Sequence, residues 1–141
     1  MWPDFKQTLV RQASLKDQLF TRLQEVAKSL SENSDSLVTL THIVTPLRDG
    51  GGVDCSYRLM GVVAAVGHRE PPVVPLFRIR IPAKNGKIVI TPSPPFGGGF
   101  GIPDCGFDVE SVDDIDKFVQ RLTGHTDIHR VVVRMMQEAT T

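Results

Sequence analysis

The stretch that decides the fold is Phe77-Arg78-Ile79-Arg80-Ile81-Pro82-Ala83-Lys84-Asn85-Gly86-Lys87-Ile88-Val89-Ile90-Thr91. Apolar and polar residues alternate on both sides of Asn85-Gly86, a dipeptide that tolerates the positive φ angles of a type I′ turn. A two-residue turn at that point pairs Ala83 with Ile88 and Ile81 with Ile90. Phe77, Ile79, Ile81, Ile88 and Ile90 then share one face, and Arg78, Arg80, Val89 and Thr91 share the other. Turn chemistry and alternation agree, so a β-hairpin with one core-facing side is expected.

Working outward, the preceding segments continue the sheet. Residues 36–45 alternate, with Val38, Leu40, His42 and Val44 on one side and Thr39 and Thr41 on the other. After the turn cluster Asp49-Gly50-Gly51-Gly52, a second strand places Cys55, Tyr57 and Leu59 on one face and Asp54, Ser56 and Arg58 on the other. The run Val62-Val63-Ala64-Ala65-Val66 is apolar on both sides and reads as doubly covered or as an interface.

The cover for the apolar face is helical. Phe5, Leu9, Ala13, Leu19, Leu23, Val26, Ala27 and Leu30 recur every three or four residues, which predicts one long amphipathic helix. Pro3 and Asp4 suit its first turn, and the polar run from Ser31 to Asp35 ends it. Residues 92–106, dense in Pro and Gly, form a long loop. Ser111 and Asp114 then make a capping box for a helix carrying Val112, Ile115, Phe118, Val119 and Leu122, with Gly124 as its stop. A last helix, which Thr126 can cap, presents Ile128, Val131, Val132, Met135 and Ala139. The expected architecture is a single α+β domain over residues 1–141: a long N-terminal helix, a four-stranded antiparallel meander, a Pro/Gly loop and two C-terminal helices.

Composition narrows the function classes. The chain has 141 residues, 40% hydrophobic, with 16 basic and 16 acidic side chains and zero net charge. That fits one core and excludes a disordered chain or a generally basic nucleic-acid binder. Neutrality is a cancellation, however. Residues 36–92 carry 7 basic and 3 acidic side chains, and residues 93–141 carry 4 and 8. Two cysteines make no disulfide framework, no run of about 18 apolar residues could span a bilayer, and no secretory leader is visible. A cytoplasmic protein with free thiols is expected.

Cys105 is the candidate nucleophile, set between glycine-rich backbone and a helix, although Asp104, Asp108 and Glu110 around it disfavour a thiolate. The order helix, four-strand meander, Pro-rich loop, cysteine, helix resembles that of the ubiquitin-conjugating (E2-like) and RWD folds. The resemblance implies a thioester-carrying role for Cys105. The family's His-Pro-Asn motif is absent here, and Phe96-Gly97-Gly98-Gly99 stands in the loop instead; a non-catalytic E2-like or RWD-like interaction domain does not need that motif.

The remaining candidates are weaker as chemistry. His125 and His129 sit four apart near a helix start, as surface histidines rather than metal ligands, and His42 on the apolar strand face reads as a core histidine. The acids Asp104, Asp108, Glu110, Asp113, Asp114 and Asp116 lack the spacing of a calcium loop. Gly97-Gly98-Gly99-Phe100-Gly101 lacks the Lys-Ser/Thr of a phosphate-binding loop. Phe96 and Phe100 on that flexible backbone suit partner docking. Arg58, Arg78 and Arg80, with Lys84 and Lys87 nearby, make the polar sheet face basic without the interleaved aromatics that stack RNA bases.

The sequence thus points to a small non-catalytic interaction module that uses no cofactor or metal. Its partner-binding residues are Phe96, Phe100, Arg58, Arg78 and Arg80, and its partner is an acidic protein surface or a second copy. The alternatives are E2-like transfer through Cys105 and, third, nucleic-acid binding by the basic face.

Overall fold

The structure, a computed structural model, describes residues 4–48, 51–62, 70–82, 87–93 and 106–140, with the backbone alone for residues 8–13. Helix α1 spans Phe5–Asn33 and strands β1 to β4 span Val38–Pro46, Gly52–Gly61, Val73–Pro82 and Ile88–Pro92. Strand β5 (Phe107–Val109), helix α2 (Val112–Thr123) and helix α3 (Thr126–Thr140) follow. The strands form one antiparallel sheet in chain order, β1-β2-β3-β4-β5. The α+β class and the long first helix therefore hold.

The sheet has five strands where the sequence pattern showed four. The fifth, Phe107–Val109, is too short to display an alternation, and its middle residue Asp108 reads as part of an acidic series. Its pairing with β4 sets Ile90 against Phe107 and Ile88 against Val109. Gly106 admits the entry to this strand. Its φ is +104°, and a Cβ there would lie 2.9 Å from Val89 Cγ1.

The hairpin register also differs. Ile79 pairs with Ile90 and Arg80 with Val89, two residues out of the register that a turn at Asn85-Gly86 sets. Pro82, which has no N–H to donate, ends β3 before the turn dipeptide is reached. The slip amounts to two residues and leaves every side chain on its expected face. The turn residues 83–86 lie outside the described residues, as do 63–69 and the loop 94–105.

Between β2 and β3 the ladder carries a bulge. Tyr57 pairs with Phe77, but Arg58 pairs with Pro75, leaving Leu76 as the extra residue. Leu76 and Phe77 are consequently both buried, at 1% and 0% exposure. The Leu76 carbonyl is not wasted, since it accepts the Ser93 N–H at 2.9 Å.

All three helices contribute to a core on one face of the sheet. Leu15, Leu19 and Leu23 of α1, Ile115, Phe118 and Leu122 of α2, and Ile128, Val131 and Met135 of α3 meet Leu59, Phe77, Ile79 and Ile90. Burying each such side chain stabilises the fold by about 1.5–3 kcal/mol. Two expected core residues do not join it: Phe5 and Val112 are exposed. Arg22 of α1 hydrogen-bonds Asp116 of α2 at 2.6 Å, adding a half-exposed cross-brace.

The helix ends explain themselves chemically. Asp4 is the N-cap of α1, accepting from the N–H groups of Lys6 and Gln7. After Asn33 the chain reverses through Asp35 and Ser36, at φ 53° and 63°. Buried Ser34 holds that reversal, its Oγ donating to the Val38 carbonyl and accepting from the Val38 N–H. The Ser111–Asp114 capping box and the Gly124 stop of α2 form as expected. For α3 the cap differs, because the Nδ1 of buried His125 accepts from the N–H groups of Asp127 and Ile128, and Thr126 is already helical.

Replacing His125 with Ala should lower the unfolding free energy by about 1 kcal/mol, while Ser, a good N-cap, retains most of it. Ser34→Ala should cost about 1–2 kcal/mol by stranding the buried Val38 N–H. Urea titrations of the three variants check both expectations.

Candidate functional site

The face of the sheet opposite the helices has no described element packed on it. Its residues follow from the alternation and the register. One cross-strand row is Thr41, Arg58 and Pro75; the next is Ile43, Ser56, Arg78 and Thr91; the third is Thr45, Asp54, Arg80, Val89 and Asp108. The sequence placed Arg58, Arg78 and Arg80 together on this face, and the structure puts Arg58 in the first row on β2 and Arg78 and Arg80 in the second and third rows on β3.

The three arginines are not equivalent. Arg78 is paired with Asp54, whose carboxylate is nearly buried between the strands. Neither Arg58 nor Arg80 makes an ion pair among the described residues, which leaves their charge available to a ligand. Arg80 is exposed; Arg58 is half-buried, and its Nε and the neighbouring Thr41 Oγ1 have no hydrogen-bond partner among the described residues. Asp54, Arg78, Arg80, Val89 and Thr91 frame a shallow depression of ≈ 230 Å³.

Lys87 belongs to a different cluster. Its ammonium lies 3.1 Å from Glu110 and 3.5 Å from Asp108, and the Glu110 hydrogen bond, then the two carboxylate charges, hold its pKa above the ordinary lysine value. Part of the charge surplus of the sheet is thus matched by the acidic C-terminal third within one chain. The other acids are also engaged: Asp113 with Lys117 at 3.0 Å, Asp116 with Arg22, and Asp114 in its capping box. Among the described residues no three His, Cys, Asp or Glu side chains converge as metal ligands. His129 is occupied too, with Nε2 2.6 Å from the Thr123 carbonyl.

Two apolar grooves flank α1 on the covered side. One, of ≈ 380 Å³, runs between α1 and α3 over Leu40, Leu59 and Leu76. The other, of ≈ 500 Å³, opens between α1 and the β1 edge, lined by Phe20, Gln24, His42, Val44, Cys55 and Tyr57. His42 corrects the core-histidine expectation. It lies on the apolar face but at its exposed end, stacked on Tyr57 at 5.1 Å, with Tyr57 in turn stacked on Phe77 at 5.0 Å.

Cys55, which the sequence reading did not single out, is the one cysteine among the described residues, and it is buried. Burial first, then the Asp54 carboxylate, push its thiol above the ordinary value, and Lys16 offsets part of that. Burial likewise raises the Tyr57 hydroxyl, with Cys55 adding to it. Neither group is set up as a nucleophile. Cys105, Phe96 and Phe100 lie outside the described residues.

Compared with known protein families, with curated proteins and with solved structures, the chain has no match. Among the described residues no helix is long and apolar enough to cross a membrane.

The thiol direction gives a pH expectation. Cys55 holds its proton more tightly folded than unfolded, so its contribution to stability is complete below the unfolded value of about 8.5 and is lost as pH rises beyond it. In a Cys105→Ser background, unfolding free energy should fall from about pH 8.5 upward, and Cys55→Ala should remove the first part of that fall. Iodoacetamide at neutral pH should modify Cys55 only after denaturant is added, as read by mass spectrometry.

Proposed function

We propose that the protein is a non-catalytic interaction module whose open sheet face docks an acidic segment of a partner protein. The observation that carries this reading is the pair Arg58 and Arg80, both without an ion-pair partner among the described residues, on a sheet face that no described helix covers. Arginine suits the role because its planar guanidinium offers forked hydrogen bonds to a carboxylate. The row spacing favours an extended ligand. Arg58 and Arg80 stand on the same face in the first and third rows, so acidic side chains spaced along a strand-like peptide could meet both.

Asp54 has a definite part in this account. By holding Arg78 it fixes one guanidinium over the depression and subtracts one charge from the face. Binding is then directed to Arg58 and Arg80 rather than spread over a uniformly basic surface. Such a surface would also attract nucleic acid, and the described residues of this face include no aromatic side chain for the stacking that single-stranded nucleic acid uses. A non-catalytic RWD-like domain, which the order of elements in the sequence resembles, would also serve an interaction role.

A defined probe tests this directly. An acidic decapeptide of Asp and Glu should shift the backbone amide resonances of Arg58, Arg78 and Arg80, and a DNA oligonucleotide of equal charge should not. Arg58→Gln with Arg80→Gln should weaken the peptide by about tenfold or more and flatten its salt dependence. Peptide shifts confined to other residues, or tighter binding of the oligonucleotide, would contradict the proposal.

A further inference from the structure

The two edges of the sheet are built differently. The β5 edge is three residues long, with exposed Asp108 at its centre, Glu110 beside it and Lys87 bridging both. Short length and charge are the usual protections of an edge against pairing. The β1 edge has neither. It runs nine residues, Val38-Thr39-Leu40-Thr41-His42-Ile43-Val44-Thr45-Pro46, without an acidic or basic side chain other than His42. No described strand pairs with its outer side. Ile43 is 46% exposed on the open face and Val44 53% exposed on the covered face.

We propose that β1 pairs antiparallel with β1 of a second copy, about a two-fold axis through His42, to make one continuous sheet from both copies. The register is the one centred on the middle of the strand. His42 faces the second copy's own His42, Leu40 faces Val44 on the covered side, and Thr41 faces Ile43 on the open side. Each exposed aliphatic side chain thereby gains a cross-strand neighbour, and the outward N–H and C=O groups of Leu40, His42 and Val44 gain partners, while those of Val38 stay on Ser34. A two-fold axis perpendicular to the sheet keeps the helix-covered face of both copies on the same side, so the faces match without a clash of polar against apolar.

Two further observations select a second copy over an unrelated strand. The ≈ 500 Å³ apolar groove lies along this edge, with His42 and Val44 in its lining, and the facing Leu40 and His42 of the second copy would extend that lining. The chain also has zero net charge, so two copies approach without net repulsion. The open face with Arg58 and Arg80 stays exposed in the pair, which makes this inference independent of the acidic-partner proposal.

A charge-swap experiment on the full chain tests both the pairing and its register. Sedimentation velocity of the wild type at about 100 µM, within the range expected of a modest interface, should show a dimer. His42→Glu and His42→Lys each place like charges directly opposite across the axis and should each raise the dimer dissociation constant about tenfold or more. Mixing the two variants should restore the dimer, because Glu then faces Lys. Circular dichroism on each variant establishes that it is folded, and restoration on mixing separates broken pairing from misfolding. A monomeric wild type, variants that dimerise unchanged, or a mixture that stays monomeric would overturn the proposal.

Discussion

The contact on which the rest of the structure depends is made by the ring of Phe77. It is fully buried, stacked on Tyr57 at 5.0 Å and met edge-on by Phe118 of α2 at 5.0 Å and 86°. Through those two neighbours one side chain joins the central strands to a helix that arrives about forty residues later in the chain. The edge-to-face geometry is the favourable one for aromatic quadrupoles. The bulge at Arg58 and Pro75 enables the contact, because the extra residue lets Leu76 and Phe77 both face inward. Without it one of them would fall on the open face. The described core gathers on the side to which these rings point, and no described element covers the other side.

That one-sidedness organises the polar residues as well. The acids of the C-terminal third mostly serve local purposes, as helix caps or as partners for Lys87, Lys117 and Arg22. The zero net charge of the chain is in part an internal pairing between the sheet and the segment that returns beside it. Of the sheet's arginines, Arg58 on β2 and Arg80 on β3 have no ion pair among the described residues, while Arg78 is held by Asp54. A face that no described element covers, with Arg58 and Arg80 left without ion pairs among the described residues, is a different object from a generally basic surface.

Much of this was legible from residue order. The strand alternations assigned the named side chains of β1, β2, β4 and the Phe77–Ile81 part of β3 to the correct face, while the start of β3 with its bulge residue Leu76 was not read, and the three-and-four spacing located all three helices. The register was not legible, because Asn85-Gly86 advertises a two-residue turn and Pro82 stops the ladder earlier. Strand β5 escaped for lack of length, since three residues carry no period. His125 was hidden by its type; a histidine is an uncommon N-cap, and only its ring geometry reveals the bonds to Asp127 and Ile128. The arginines of the open face could be grouped from sequence, but their division into one paired and two unpaired side chains required the position of Asp54.

The ring contact between Phe77 and Phe118 ties sheet to helix, and a double-mutant cycle measures it most directly. Phe77→Leu and Phe118→Leu, alone and together, should each destabilise the protein, with a coupling energy of about 0.5–1.5 kcal/mol in urea unfolding. A coupling of zero would mean that the two rings act independently, and would contradict a core built around their contact.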